Sequence, residues 1–156
     1  MGVVLIRHSK PLGFEDMSAF EFVKEILKGD PTYAINFDRI QWDSEEDRYV
    51  IVEFLLCDEI QFKRGITPYT SHPNRYFYKN AQKFIFLWEL TQHIGAKLYL
   101  VNYSKKGTKY EDQILLMGVI SVDKDDTEEP VKTEDRRLTR EIFSGYFREL
   151  NKRGRR

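Results

Sequence analysis

The chain has 156 residues, 41% hydrophobic and 14% aromatic, with 25 basic and 25 acidic side chains that cancel to a net charge of zero. That size and composition predict one domain with a packed core. No apolar run reaches the ~20 residues of a membrane span, and the single cysteine, Cys57, rules out an intrachain disulfide and points to a cytoplasmic protein.

The chain opens with a short predicted strand, Gly2-Val3-Val4-Leu5-Ile6, too short for a signal-peptide core. A turn at Pro11 and Gly13 follows. Ser18-Ala19-Phe20-Glu21 reads as a capping box, and Phe22, Val23, Ile26 and Leu27 continue at helical spacing until Gly29 and Pro31. Two strands come next, Ile35–Trp42 and Tyr49–Cys57, separated by the polar stretch Asp43–Arg48. A hairpin turning at Glu45-Glu46 sets Trp42 against Tyr49, Ile40 against Ile51 and Asp38 against Glu53. Residues 58–73 read as irregular, with Gly65, Pro68 and Pro73 as breakers. A long helix is predicted from about Asn74 to Ile94, and Gly95 closes it. Lys97–Tyr103 and Ile114–Val122 are further strands, the first apolar enough to be covered on both faces. A helix joining two strands at this spacing implies a parallel crossover. After an acidic linker, a last helix is predicted from Thr133 or Glu134, and it ends in a basic tail. The expected fold is therefore α/β, a mixed central sheet flanked by helices, in a single domain 1–156 whose core spans about 17–122, with the C-terminal helix and tail at about 133–156.

Glu53 is the one charge in an otherwise apolar strand of nine residues. Facing Asp38, it meets two penalties, like charges paired across a sheet and an ionised group in apolar surroundings. A divalent cation between the two acids would reverse both. A purely structural account has Asp38 bonding locally and Glu53 pairing with Arg39 or Arg75. Charge is also unevenly spread. Residues 43–59 and 123–135 are acidic, while 75–109 and 136–156 are basic, the distribution a metal-dependent enzyme acting on a polyanion needs.

An acid on one strand, a second acid on the next, a helix before and a helix and buried strand after: this order resembles the PD-(D/E)XK nuclease superfamily over roughly residues 18–122. The resemblance implies a restriction-endonuclease-like αβββαβ-type core. It also implies Mg²⁺ (or Mn²⁺) bound by Asp38 and Glu53, with Glu21 or Glu25 on the first helix as a further acid. The family's lysine, two positions after the second acid, is replaced here by Leu55. Some members supply that lysine from the following helix, which makes Lys83 and Lys79 the candidates. The implied activity is hydrolysis of phosphodiester bonds, in DNA rather than RNA, by a homodimer or within a larger assembly.

His72 and Arg75 belong to a segment dense in hydroxyls, aromatics and bases that leads into the long helix. They are candidate phosphate contacts, and so are Lys105 and Lys106 in the turn after Leu98–Tyr103. Two other readings remain open. One is a non-catalytic module binding nucleic acid or protein, which Leu55 favours. The other rests on Ile6-Arg7-His8, which is similar to the strand end of histidine phosphatases and would make His8 a phosphate acceptor.

Overall fold

The structure, a computed structural model, describes residue 12 and residues 17–155. The strand expected at Gly2–Ile6 and the His8 motif lie outside them. The described residues form two compact units, one reaching to Asn36 together with Arg155 and the other running from Phe37 to Gly154. In the first unit, α1 (Ser18–Leu27) starts at Ser18 itself, with Met17 as the cap residue and no side-chain cap hydrogen bond, so the expected capping box does not form. It stops at Lys28 and Gly29, both with positive φ (50° and 90°). Phe20, Val23 and Leu27 line a cavity of about 640 Å³ with Thr32, Ala34 and Asn36 of the same unit.

The second unit is built on a five-stranded mixed sheet in the order β1 (Arg39–Asp43), β2 (Arg48–Leu56), β3 (Lys97–Tyr103), β4 (Gln113–Val122) and β5 (Val131–Thr139). β1 and β2 form the expected hairpin, with Ile40 against Ile51 and Trp42 against Tyr49. β2 and β3 are parallel, with Glu53 beside Leu100, and the chain crosses between them through α2 (Glu59–Lys63) and α3 (Ala81–Ile94). β4 and β5 add antiparallel pairs, with an irregularity at Ile120.

Alternation along each strand sends its side chains to two cores. Ile51, Leu98, Leu100, Leu115 and Met117 pack with Phe84 and Leu87 of α3. Val50, Val52, Val101, Ile114 and Leu116 pack on the other face with Leu150, Phe143 and Phe147 of α4 (Arg140–Lys152). Each buried aliphatic side chain contributes about 1.5–3 kcal/mol relative to exposure, so both faces are driven together by burial. α4 is also held at its two ends. Arg140 donates to the carbonyls of Ser104 (2.6 Å) and Glu111 (2.7 Å). Gln41 donates to the Leu150 carbonyl (2.6 Å), and Arg153 pairs with Glu45 (2.9 Å).

The strand expected at Ile35–Trp42 begins only at Arg39, which leaves Asp38 just before it. Three other elements differ from the sequence expectation. The segment 58–73 contains α2, capped by the Asp58 carboxylate accepting from the Gln61 N–H. The helix expected from Asn74 begins only at Ala81. Before it the chain makes two 3-10 turns, Pro73–Arg75 and Phe77–Lys79, broken at Tyr76 and Asn80 (φ −135° and −130°). This path seats Phe77, 1% exposed, in a stack on Phe84 at 6.1 Å. Last, residues 131–139 form an edge strand, and α4 starts at Arg140, not Thr133. Only the ends of β5 need apolar side chains, Val131 in one core and Leu138 in the other, which leaves Glu134–Arg137 exposed. Those four charges mimic a helical first turn.

Candidate functional site

Glu53 stands at the centre of β2, flanked by β1 and β3, and is 2% exposed. The hairpin brings Asp38 to it, just before β1. The two acids interlock through the backbone: Glu53 Oε2 accepts from the Asp38 N–H at 3.0 Å, and Asp38 Oδ2 accepts from the Phe54 N–H at 2.8 Å. Peptide dipoles thus offset part of the repulsion between the pair. The other Glu53 oxygen, Oε1, is paired with the Lys83 ammonium. Lys83 lies in the first turns of α3 and its side chain keeps 33% exposure; Asp38 is exposed as well, so these two reach solvent while Glu53 does not.

Burial pushes the Glu53 carboxyl above the ordinary glutamate value. The Lys83 hydrogen bond and charge pull it back, nearby Asp38 pushes it up, and the Asp38 N–H favours the ionised form. Burial wins. The ion-pair partner is therefore Lys83 and neither arginine considered from the sequence. Arg39 instead donates to Asn151 and stacks on Phe147, and Arg75 is exposed in a 3-10 turn.

The remaining predicted residues are dispersed. Lys79 is exposed at the end of the second 3-10 turn, off α3. Glu21 and Glu25 lie on α1, in the first unit. Lys105 and Lys106 are exposed in the turn after β3, where Lys105 lines a cavity of about 370 Å³ with Asp58 and Phe62. His72 has both ring nitrogens engaged. Nδ1 accepts from the Asn74 N–H (3.2 Å), and Nε2 lies 2.8 Å from the Thr133 hydroxyl, which itself donates to Asp135. That leaves Nε2–H as the donor and the ring neutral, and burial lowers its pKa. His72 caps a turn and has no ring nitrogen left to accept or donate elsewhere.

Beyond the acids lies a cleft of about 310 Å³ at the carboxyl ends of the parallel strands β2 and β3, the place where ligands gather in open α/β sheets. Lys83 lines it with Gln61, Ser71, Tyr76, Asn80 and Asn102. Asn102, 1% exposed, donates to the carbonyls of Pro68 (3.1 Å) and Ser71 (2.6 Å). The Ser71 hydroxyl donates to Gln61 at 2.6 Å. Ser71, Tyr76 and Asn80 belong to the same hydroxyl- and aromatic-rich segment as His72 and Arg75. Gln61 and Asn102 carried no site signal in the sequence beyond Asn102 being an amide at the same parity as buried Leu98 and Leu100. Cys57, buried beside the cavity lined by Asp58 and Phe62, has its thiol pushed up to about 11 by burial, which disfavours the thiolate.

Two carboxylates and an ammonium meet at the edge of a polar cleft in an α/β sheet with helices on both faces. No family model, curated protein or solved structure matches the chain. Among the described residues no group of three or more His, Cys, Asp and Glu is placed to hold a metal ion. The donor set of Asp38 and Glu53 is all hard oxygen. Two carboxylates completed by water and phosphate oxygens suit Mg²⁺ and not zinc.

Proposed function

We propose that the chain is a metal-dependent nuclease on a restriction-endonuclease-like core, hydrolysing phosphodiester bonds of nucleic acid, DNA in preference to RNA. The observation that carries this reading is the convergence of Asp38, Glu53 and the Lys83 amine. Asp38 and Glu53 would hold Mg²⁺ (or Mn²⁺). The ion, when bound, supplies a Lewis acid and lowers the pKa of a water. Lys83, reaching the site from α3, replaces the lysine that Leu55 displaces. Its ammonium would stabilise charge building on the phosphoryl oxygens. Arg75, Lys105 and Lys106 steer the polyanion.

The deciding assay incubates the protein with single-stranded DNA, duplex DNA and RNA in Mg²⁺, Mn²⁺ or EDTA. Cleavage should require metal and vanish in Asp38→Ala and in Glu53→Ala. Cleavage that persists in EDTA, or in both variants, overturns the reading. A second reading, a non-catalytic binding module, is favoured by Leu55 and by the lack of a third ligand among the described residues. Tight nucleic-acid binding with no turnover in any metal selects it.

A further inference from the structure

β5 ends the described sheet on one side. Val131 stands opposite Val122, and the Asp123 N–H donates to the Pro130 carbonyl at 2.8 Å. That pattern makes Val131 and Val122 a non-hydrogen-bonded pair, so Val131 turns its own N–H and C=O away from β4. They meet the Asn74 side chain instead, at 2.8 and 3.0 Å. Alternation turns the backbone groups of Thr133, Asp135 and Arg137 the same way, and among the described residues these groups form no hydrogen bond. The loop before α3 covers both ends of the row, Asn74 at Val131 and the Tyr69 hydroxyl at the Leu138 carbonyl (2.8 Å). Residues 133–137 are left open between them, with Asp135 at the centre and no proline to interrupt pairing. An edge lined with lysine repels a second edge. Here Glu134, Asp135, Arg136 and Arg137 are all exposed, two of each sign.

We propose that β5 pairs antiparallel with β5 of a second copy of this chain, across a two-fold axis at Asp135, joining two five-stranded sheets into one. The outward N–H and C=O groups of residues 133, 135 and 137 then bond across the axis, Thr133 to Arg137 of the second copy and Asp135 to its own mate. An isologous contact uses the same patch on both copies, and a two-fold normal to the sheet keeps like faces together. On the α4 face Glu134 therefore meets Arg136 of the second copy, twice by symmetry, and opposite charges so placed stabilise a sheet. The guanidinium groups are already steadied by tyrosine rings, Arg136 by Tyr146 (5.8 Å) and Arg137 by Tyr69 (5.1 Å). The axis brings one like-charge contact, Asp135 on its mate. The Thr133 hydroxyl donates to that carboxylate, and Arg137 of the second copy lies diagonally across from it, within reach of a long side chain. A ladder of five residues is short, so the dimer forms as concentration rises. The inference is independent of the nuclease reading.

The test is sedimentation velocity on the full chain at low salt over a wide range of concentration. The wild type should pass from monomer to dimer. Glu134→Arg and Arg136→Glu, both at exposed positions, each set like charges against one another at two places, and each should weaken the dimer by about tenfold or more. Mixed in equal amounts, the two variants should recover the wild-type affinity as a heterodimer, because each supplies the charge that the other lacks. Misfolding of either variant cannot produce that recovery. Asp135→Pro removes an N–H that β4 does not use, a substitution an edge strand tolerates, and it should abolish the dimer with circular dichroism unchanged. Asp135→Asn, which relieves the contact at the axis, should tighten it. A wild type that stays monomeric at every concentration overturns the inference. So does a dimer that both charge variants retain, or a mixture that fails to recover.

Discussion

At the scale of single residues, the informative fact is which cation Glu53 holds. Lys83 and Lys79 are four positions apart, and a continuous helix from Asn74 would present them on one side. The turn broken at Asn80 separates them, so only Lys83 reaches the carboxylate. Lys83→Met should lower cleavage by about 10²–10³, the scale of removing one transition-state donor, and should raise the Glu53 pKa further, read by NMR titration. Lys79→Met should leave the Glu53 titration unchanged. If Lys79→Met moves it and Lys83→Met does not, the assignment is reversed.

At the scale of elements, what was legible in the sequence depended on whether a local pattern decided the outcome. The hairpin was legible because the apolar residues of Val50–Leu56 and the polar turn at 43–48 fix one pairing, which carried Asp38 to Glu53. β3 was legible because Leu98–Val101 form a continuous apolar run, as a strand covered on both faces requires. β5 was not, because an edge strand exposed over Glu134–Arg137 has no alternation to read. The cleft was not legible either: residues 61, 71, 76, 80 and 102 come together only when the crossover closes over β3. β5 also passes into α4 with no loop. Thr139 ends the strand and accepts from the Ile142 N–H at 3.2 Å as the helix cap. Thr139→Ala should therefore cost about 1 kcal/mol in chemical denaturation, and Thr139→Ser should restore most of it. A neutral Thr139→Ala would show that the tethers at Arg140 and Arg153 hold α4 alone.

At the scale of the whole molecule, buried Glu53 and half-buried His72 give stability opposing pH slopes. Glu53 has a raised pKa when folded, so the native state binds its proton more tightly than the unfolded chain. Its contribution is present below the unfolded value of 4.5 and is lost as pH rises through the folded value. His72 has a lowered pKa. Between its folded value and 6.5 the unfolded chain binds the extra proton, so stability falls as pH drops through that window. Glu53→Gln should remove the first slope in denaturation curves across pH, and His72→Asn, which keeps a cap acceptor, the second. On the nuclease reading Mg²⁺ would require ionised Glu53, so its affinity should weaken as pH falls through the raised Glu53 value, measurable by calorimetry. A pH-independent affinity would mean that Glu53 is not a ligand.

The parity of β2 carries one more consequence. Ile51, Glu53 and Leu55 look toward α3, while Val50, Val52 and Phe54 look toward α4. A molecule zipped one step out of phase would thrust the carboxylate into the aromatic layer beside Phe147 and leave the ammonium confronting hydrocarbon. Such a misthreaded copy would be fragile. The one buried carboxylate of β2 thereby proofreads the assembly of its sheet.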